Sequence, residues 1–460
     1  MLMMHLSDIA SVCQGQLIGE DQPIRSICTD SRHIAPEELF IALVGDRFDG
    51  HHYLQQVAQC GAGAVLVSQN VELDIPVIRV QDTRLALGQI AAFQRQQFSG
   101  PVAAITGSNG KTTVKEMLSA ILALKYNVLY TQGNFNNDIG LPLTLLRLNE
   151  EHQAMVLELG ANHPGEITYT ANIAQANVAL VNNVGDAHIE GFGSRTGVAD
   201  EKSEIFAALS EQGCAVFESD SPYLSLFKQK ASDARCVSFG LEQEADIWAS
   251  NAQCLSDGCY QFELCSEHHC AWVRLKTPGL HNVKNACASA ALALQMGMSL
   301  DECAKALSEF AGVSGRLRRL KLSEHITLFD DTYNANPNSF NAALDVLSGR
   351  DGFVMLVAGD MGELGEQSQQ AHQSLGEQAK ARQIELIATG AQMKYAVQGA
   401  GDYGHYYDDQ PALAKALLER LHMLDAHHAE AMVVVKGSRS SQMEKTVQFI
   451  QQNFNKVHQC

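Results

Sequence analysis

The sequence predicts an α/β protein of three domains built on mostly parallel sheets. Three observations predict it. The chain has 460 residues, which the usual domain size divides into about three units. From residue 100 onward, short apolar runs alternate with stretches of helical spacing, as expected for strands covered by helices. A glycine-rich turn, "GSNGKTT" (107–113), joins one such run to one such helix.

Residues 1–82 read as short strands with one or two helices. "IRSICTDSRHI" is a strand entering a polar turn, and "HHYLQQVAQCGAGAVLVS" is a helix, a glycine stop and a strand. A helix over 83–98 leads into the apolar strand "VAAI" (102–105). Further strands follow at "AMVLELG", "VALVNNV" and "GCAVFE", and "NVKNACASAALALQMGM" is an alanine-rich helix stopped at Gly297. A last α/β block runs from 313 to 460, with strands at "ITLFDD", "GFVMLVAGD", "IELIATG" and "AMVVVKG".

Composition narrows the function. The formal net charge of -19, with no basic tract to offset it, argues against general binding to nucleic acid or a membrane surface. No apolar run approaches the roughly 18 residues that a membrane span needs, so none is expected. The N-terminus shows no basic stretch followed by an apolar core, so no signal peptide is read there. Twelve cysteines are scattered without a C-x-x-C pair, and reduced thiols of a cytoplasmic protein are expected. "CSEHHC" (265–270) is the one cluster that could bind zinc. It lies among strand formers, where alternate residues point to opposite faces, so zinc is not expected there.

The turn at 107–113 departs from the usual phosphate loop, G-x-x-x-x-G-K-[ST], whose first glycine would fall at Ile105. The chemistry survives the loss. Backbone N–H groups and a helix N-terminus cradle phosphates, the lysine adds charge, and the following hydroxyl reaches Mg²⁺. Gly107, Gly110, Lys111 and Thr112 supply these parts. Phosphate binding is therefore preferred over a plain strand-to-helix turn.

A shortened loop of this form resembles the Mur ligase family and its relative folylpolyglutamate synthase. "GNFNNDIGLPLTLL" (133–146), "LELGANHPGEI" (157–167), "NVGDAHIEGFGS" (183–194), "EKSEIF" (201–206), "PGLHNVKNACASAAL" (278–292), "GR" (315–316), "DDTYNANPNSF" (330–340), "AGDMGELG" (358–365) and "VVKGSRS" (434–440) also resemble Mur ligase segments, in the expected order. The forms "NFNNDIGLP" and "DDTYNANP" are most similar to those of family members that add D-alanyl-D-alanine to UDP-N-acetylmuramoyl-tripeptide.

The resemblance implies a UDP-sugar-binding domain over 1–82, a central ATP-binding domain over 83–312 and a Rossmann-like domain over 313–460 that receives the dipeptide. It implies ATP contacts from Gly107, Ser108, Asn109, Gly110, Lys111, Thr112 and Thr113. Glu158 ends an apolar strand, where ligands bind in α/β sheets. Read alone it could equally cap the next helix; the resemblance makes it a Mg²⁺ ligand with Thr112. His188 alone reads as structural and Lys202 as a solvated lysine. The resemblance makes them ligands of a second Mg²⁺, with Lys202 carbamylated so that it offers oxygens, which Mg²⁺ requires. His281 and Asn285 share one helix face; the resemblance places Asn285 at the adenine and His281 near the metals and γ-phosphate. It assigns Asp331 to the ribose and Arg316 to the phosphates. Asn134, Asn136 and Asn137 alone read as a turn; the resemblance places that loop over the nucleotide and peptide, and implies Tyr333, Asn334 and Asn336 as further substrate contacts. Ser31 and Arg32 of "TDSR" resemble part of the uridine-nucleotide module, although Pro36-Glu37-Glu38 replaces the family's Pro-Gly-Asp.

The implied reaction is ATP-driven amide formation through an acyl phosphate, by a cytoplasmic monomer that makes peptidoglycan precursors. Lys111, Glu158, His188 and Lys202 are its expected catalytic residues. Two rivals stand beside it: another Mur ligase or folylpolyglutamate synthase, and a P-loop ATPase without ligase chemistry. The "DSR…DGH" module argues against the folate enzyme, and the second metal site against the ATPase.

Overall fold

The structure is a computed structural model that describes residues 4–45, 47–185 and 189–455. Three larger sheets lie along the chain, with two two-stranded pairs beside the first, and one buried cluster runs from a face of the first sheet onto a face of the second. The first has five strands in the order Gln16–Ile18, Val77–Arg79, Ala64–Val67, Glu38–Ile41 and Ser26–Cys28. Its inner strand Ala64–Val67 is wholly buried, as its unbroken apolar run requires. Asp82 then accepts from the N–H groups of Arg84 and Leu85 and starts the helix Thr83–Gln96.

The second sheet has nine strands. In spatial order they are Val128–Tyr130, Ala154–Glu158, Val102–Thr106, Val178–Val181, Cys214–Glu218, Arg235–Gly240, Ile247–Cys254, Cys259–Ser266 and His269–Pro278. The first seven are parallel, and Cys259–Ser266 and His269–Pro278 each pair antiparallel with the strand before them. Val102–Thr106 sits between Ala154–Glu158 and Val178–Val181, so the chain leaves it to one side and later returns to the other. Ligands bind beyond the carboxyl ends of strands at such a reversal. The turn at 107–110, Glu158, Asn182 and Asn183 all lie at those ends.

The third sheet has six strands, ordered Arg318–Lys321, Ile326–Asp331, Ala431–Lys436, Phe353–Ala358, Glu385–Thr389 and Gly404–Tyr407, parallel except for the first. Its register places Asp331 directly beside Lys436.

One expectation about the cysteines is corrected. Cys265 and Cys270 form a disulfide, while the other nine described cysteines are free. The hairpin register pairs these two residues across adjacent strands, with Cα atoms 4.1 Å apart. Directly opposed residues of a hairpin share a face, so the alternation along a single strand did not separate them. Among the described residues no helix is long and apolar enough to cross a membrane.

Candidate active site

The turn after Val102–Thr106 is held open by groups far away in sequence. Gly107 has φ +150° and Gly110 φ +79°, and a Cβ at Gly110 would come within 2.6 Å of both Asn182 Nδ2 and Asn285 Oδ1. Glycine is therefore required there by backbone conformation and by space. Asn183 braces the turn: its carbonyl accepts from Ser108 N at 3.0 Å, and its Oδ1 accepts from Asn109 N at 2.8 Å. Both Asn182 Nδ2 and Asn183 Nδ2 donate to Asn109 O at 3.0 Å. Ile105, where the longer loop would have its glycine, is fully buried in the strand. The shortened loop thus starts directly from the sheet.

The helix Lys111–Leu122 follows with no side-chain cap, leaving its first N–H groups toward the turn. Lys111 Nζ donates to Gly107 O at 2.6 Å. Burial holds its pKa below the usual lysine range and Arg316 adds to the shift, while Glu158 opposes it. Thr112 Oγ1 donates to Glu158 Oε2 at 3.0 Å, and Asn136 Nδ2 donates to Glu158 Oε1 at 2.8 Å. Glu158 is only 3% exposed, so both carboxylate oxygens are held by polar partners in a desolvated place. It does not cap the helix Glu166–Ala174; that role falls to Glu201, whose two oxygens accept from Gly165 N and Ile167 N at 2.8 Å each.

Two cavities open on either side of the turn. One, of about 240 Å³, is lined by Asn109, Gly110, Thr113, Asn182, Phe239, His281, Asn285, Arg316, Leu317, Asp331, Ala342 and Lys436. Its apolar walls and amides suit a flat heterocycle, and Asp331 suits ribose hydroxyls. Asn285 makes one bond at each amide atom: Oδ1 accepts from Asn182 Nδ2 at 3.0 Å and Nδ2 donates to Asn282 Oδ1 at 3.1 Å, which fixes the amide and leaves a second N–H and a second lone pair. Asp331 Oδ2 accepts from the buried Lys436 at 2.6 Å, and Oδ1 from Leu317 N at 3.2 Å. Burial holds the Lys436 amine below the usual range, with Asp331 pulling it back up. His281 lines this cavity and not the one that holds Glu158. Burial also lowers its pKa, which favours the neutral ring.

The other cavity, of about 560 Å³, is lined by Ser108, Gly110, Lys111, Thr112, Asn134, Asn136, Asn137, Glu158, Arg316, Tyr333, Asn334, Asn336, Ser438 and Arg439, among others. Arg316 faces both cavities, with its guanidinium 4.1 Å from the centre of the Tyr333 ring. Asn336 Nδ2 donates to Asn109 Oδ1 at 2.9 Å, so the third sheet's leading helix, Pro337–Leu347, docks on the turn. Asn137 also serves the backbone, since its Oδ1 accepts from Gly140 N at 2.8 Å and starts a short helix.

Lys202 is not a solvated lysine. The helix Arg195–Ala207 begins well before it and buries it to 1% exposure. Burial, reinforced by Lys111, lowers its pKa from 10.5 to about 7, against the opposing pull of Glu201. Lys202 itself lines neither cavity, although the charge of Lys111 is near enough to add to the shift. His188 lies outside the described residues. Ser31 and Arg32 line neither cavity. Arg32 is exposed and paired with Asp30 at 2.8 and 2.6 Å.

Sequence reasoning passed over Asn182, Asn183 and Lys436. The signal was present for each, since all three stand at the carboxyl end of an apolar run, as Glu158 does.

Three family models together cover most of the chain: "Mur ligase family, catalytic domain" over 23–95, "Mur ligase middle domain" over 105–293 and "Mur ligase, glutamate ligase domain" over 315–439. The chain is 42% identical over 454 residues to the UDP-N-acetylmuramoyl-tripeptide--D-alanyl-D-alanine ligase of Escherichia coli strain K12, covering 98% of this chain and 99% of that one. The Bacillus subtilis strain 168 ligase of the same name is 32% identical, over 97% and 98%. The fold matches the crystal structure of MurF from Acinetobacter baumannii with TM-score 0.91 at 36% identity, covering 98% and 99%. It also matches the Thermotoga maritima MurF structure in complex with ADP, with TM-score 0.83 at 28% identity, covering 94% and 98%. A Mycobacterium tuberculosis folylpolyglutamate synthase shares the fold alone, at 16% identity and TM-score 0.63. Similarity that runs through all three sheets, together with a glycine turn braced at a sheet reversal, establishes that this chain belongs to the Mur ligase family.

Proposed function

We propose that the chain is an ATP-dependent ligase that joins D-alanyl-D-alanine to UDP-N-acetylmuramoyl-tripeptide, giving the UDP-linked pentapeptide, ADP and phosphate. One observation carries this reading. The segments most similar to ligases of that name, "NFNNDIGLP" and "DDTYNANP", supply Asn134, Asn136, Asn137, Tyr333, Asn334 and Asn336 to the cavity beside Glu158. The Asp331 end of the second segment also reaches the adenosine-sized cavity.

The chemistry follows from the geometry. A carboxylate is a poor acyl donor, so the tripeptide carboxylate attacks the γ-phosphorus of ATP and ADP leaves. The dipeptide amine adds to the acyl phosphate carbon, and the tetrahedral adduct collapses with loss of phosphate and a proton. The chain's share is to position the reactants and neutralise charge. Lys111 and the N–H groups of 107–113 hold the phosphates. Arg316, standing between the cavities, spans adenosine and phosphates. Asn285 orients the base and Asp331 the ribose.

The residues present fit Mg²⁺: the Thr112 hydroxyl and Glu158 carboxylate are oxygen donors already 3.0 Å apart. Mg²⁺ bound there would offset the repulsion between two anionic reactants. Lys202 fits carbamylation, because CO₂ adds only to a neutral amine and a pKa of about 7 leaves much of this amine neutral. As a carbamate it would present oxygens to a second Mg²⁺, with His188 as partner.

We assign the domains to 1–82, 83–312 and 313–460, which keeps each sheet whole. Cytoplasmic location and a monomeric state accompany this reading. The test is phosphate release with paired substrates: UDP-MurNAc-tripeptide with D-Ala-D-Ala, a shorter muramoyl precursor with single amino acids, and a folate with glutamate. Release that depends on the first pair supports the proposal. Release with another pair, or without any amine, refutes it.

A further inference from the structure

We propose that Arg439 grips the free carboxylate of the incoming dipeptide and so selects an amine whose far end is anionic. This rests on the ligase reading above. The cavity beside Glu158 must receive phosphates, an acceptor carboxylate and a dipeptide that carries its own carboxylate. Among the described residues lining it, the cations are Lys111, Arg316 and Arg439.

Two of these are already committed. Lys111 rises from the first turn of the loop helix and is tied to Gly107 O at 2.6 Å, so its charge belongs to the phosphates. Arg316 lies against the Tyr333 ring at the junction of the two cavities, and its charge acts on both Lys111 and Lys436. Its place is between adenosine and phosphates.

Arg439 stands apart from both. It opens the turn Arg439–Ser441, just beyond the strand that ends at Lys436. It also lines an adjoining cavity of about 730 Å³ with Asn134, Tyr333, Asn334 and Glu444; the other cation there, Arg318, opens the strand Arg318–Lys321 and does not line the cavity beside Glu158, whereas Arg439 lines both. No described residue before 83 lines either of these cavities, so the space runs away from the first sheet and along the third. A dipeptide is at most about 7 Å long. Its carboxylate therefore stays within about 7 Å of its amine, and the partner that holds it must be sought among the residues lining these two cavities. The Arg439 side chain is 68% exposed and held by Glu444 at 3.1 Å. Such a pair is worth little and exchanges readily. The planar guanidinium can therefore turn to a carboxylate and engage it through two parallel N–H donors.

The experiment compares D-Ala-D-Ala with its C-terminal amide, which keeps the amine and both methyl groups but removes the charge. Wild type, Arg439→Gln and Arg439→Lys are assayed for phosphate release with both. Wild type should prefer the acid by about 10- to 100-fold in kcat/KM, and Arg439→Gln should reduce that preference to about twofold through a higher KM for D-Ala-D-Ala. Arg439→Lys should fall between them, and the KM values for ATP and the muramoyl acceptor should not move. The proposal is overturned by a wild type indifferent to the amide, or by a preference that survives in Arg439→Gln. It is also overturned if the KM rise falls on the acceptor, or if Arg439→Gln stays inactive at saturating dipeptide. A wild type that releases no phosphate with either amine refutes the ligase reading instead.

Discussion

Replacing Lys202 with methionine should make the protein more stable and less active at once. The side chain is 1% exposed, and burial lowers its amine pKa from 10.5 to about 7. Between those two values the unfolded chain binds more protons than the folded one, so this group's contribution to stability rises with pH across that window. At about 1.36 kcal/mol per pKa unit, the buried amine costs on the order of 4 kcal/mol at about pH 7 and about 1 kcal/mol near pH 9.5. Methionine has similar length and no charge to desolvate. In urea unfolding with CO₂ stripped from the buffer, Lys202→Met should gain a few kcal/mol over wild type at about pH 7, and the gain should shrink toward about 1 kcal/mol near pH 9.5. Ligation by the variant should fall by orders of magnitude, with partial recovery in added acetate or propionate, which can occupy the space of a carbamate. A variant less stable than wild type at both pH values would show that the lysine is not held against its desolvation cost. An active variant would remove Lys202 from the chemistry altogether.

Three further outcomes follow from the same geometry. Lys111→Ala should lower kcat by more than tenfold, equivalent to more than ~1.4 kcal/mol, with an unchanged unfolding curve; retained turnover would exclude the loop as the phosphate site. Glu158→Gln keeps the shape and the Thr112 contact but removes the charge, so the Mg²⁺ concentration for half-maximal activity should rise at least tenfold; an unshifted Mg²⁺ titration would remove Glu158 from the metal site. Asn336→Ser keeps an oxygen to start its helix while losing the reach to Asn109, so KM for ATP should rise about two- to tenfold with little change in melting temperature. An unchanged KM would show that this contact does not hold the nucleotide site closed.

Much of the active site was legible because its chemistry is written in local spacing. "GSNGKTT" between an apolar run and a helical pattern locates the glycine turn between the strand Val102–Thr106 and the helix Lys111–Leu122, and Glu158 is visible as an acid that ends an apolar strand. Lys202 shows the limit. In sequence it is a lysine in a polar helix, and only the packing of that helix against the sheet buries it and lowers its pKa. Asn182 and Asn183 were passed over because an amide at a strand end has no distinctive spacing. They meet the glycine turn only because a parallel neighbour brings them to a loop about 75 positions earlier in the chain.

The sequence by itself determined the main parallel strands of the second and third sheets, their order and the residues of the glycine turn, because side-chain periodicity and backbone freedom act over a few positions; the strands Val128–Tyr130, Arg235–Gly240 and Ile247–Cys254 went unread. Tertiary structure decided every pairing that needs two strands or two domains to meet. The Asp331–Lys436 pair spans 105 positions and the Asn109–Asn336 bond 227. The Cys265–Cys270 disulfide spans only five, yet it too depends on the register of a hairpin. Two groups become partners only when sheet register and crossover connections bring them within hydrogen-bonding or bonding reach, and neither is encoded in the neighbours of either residue.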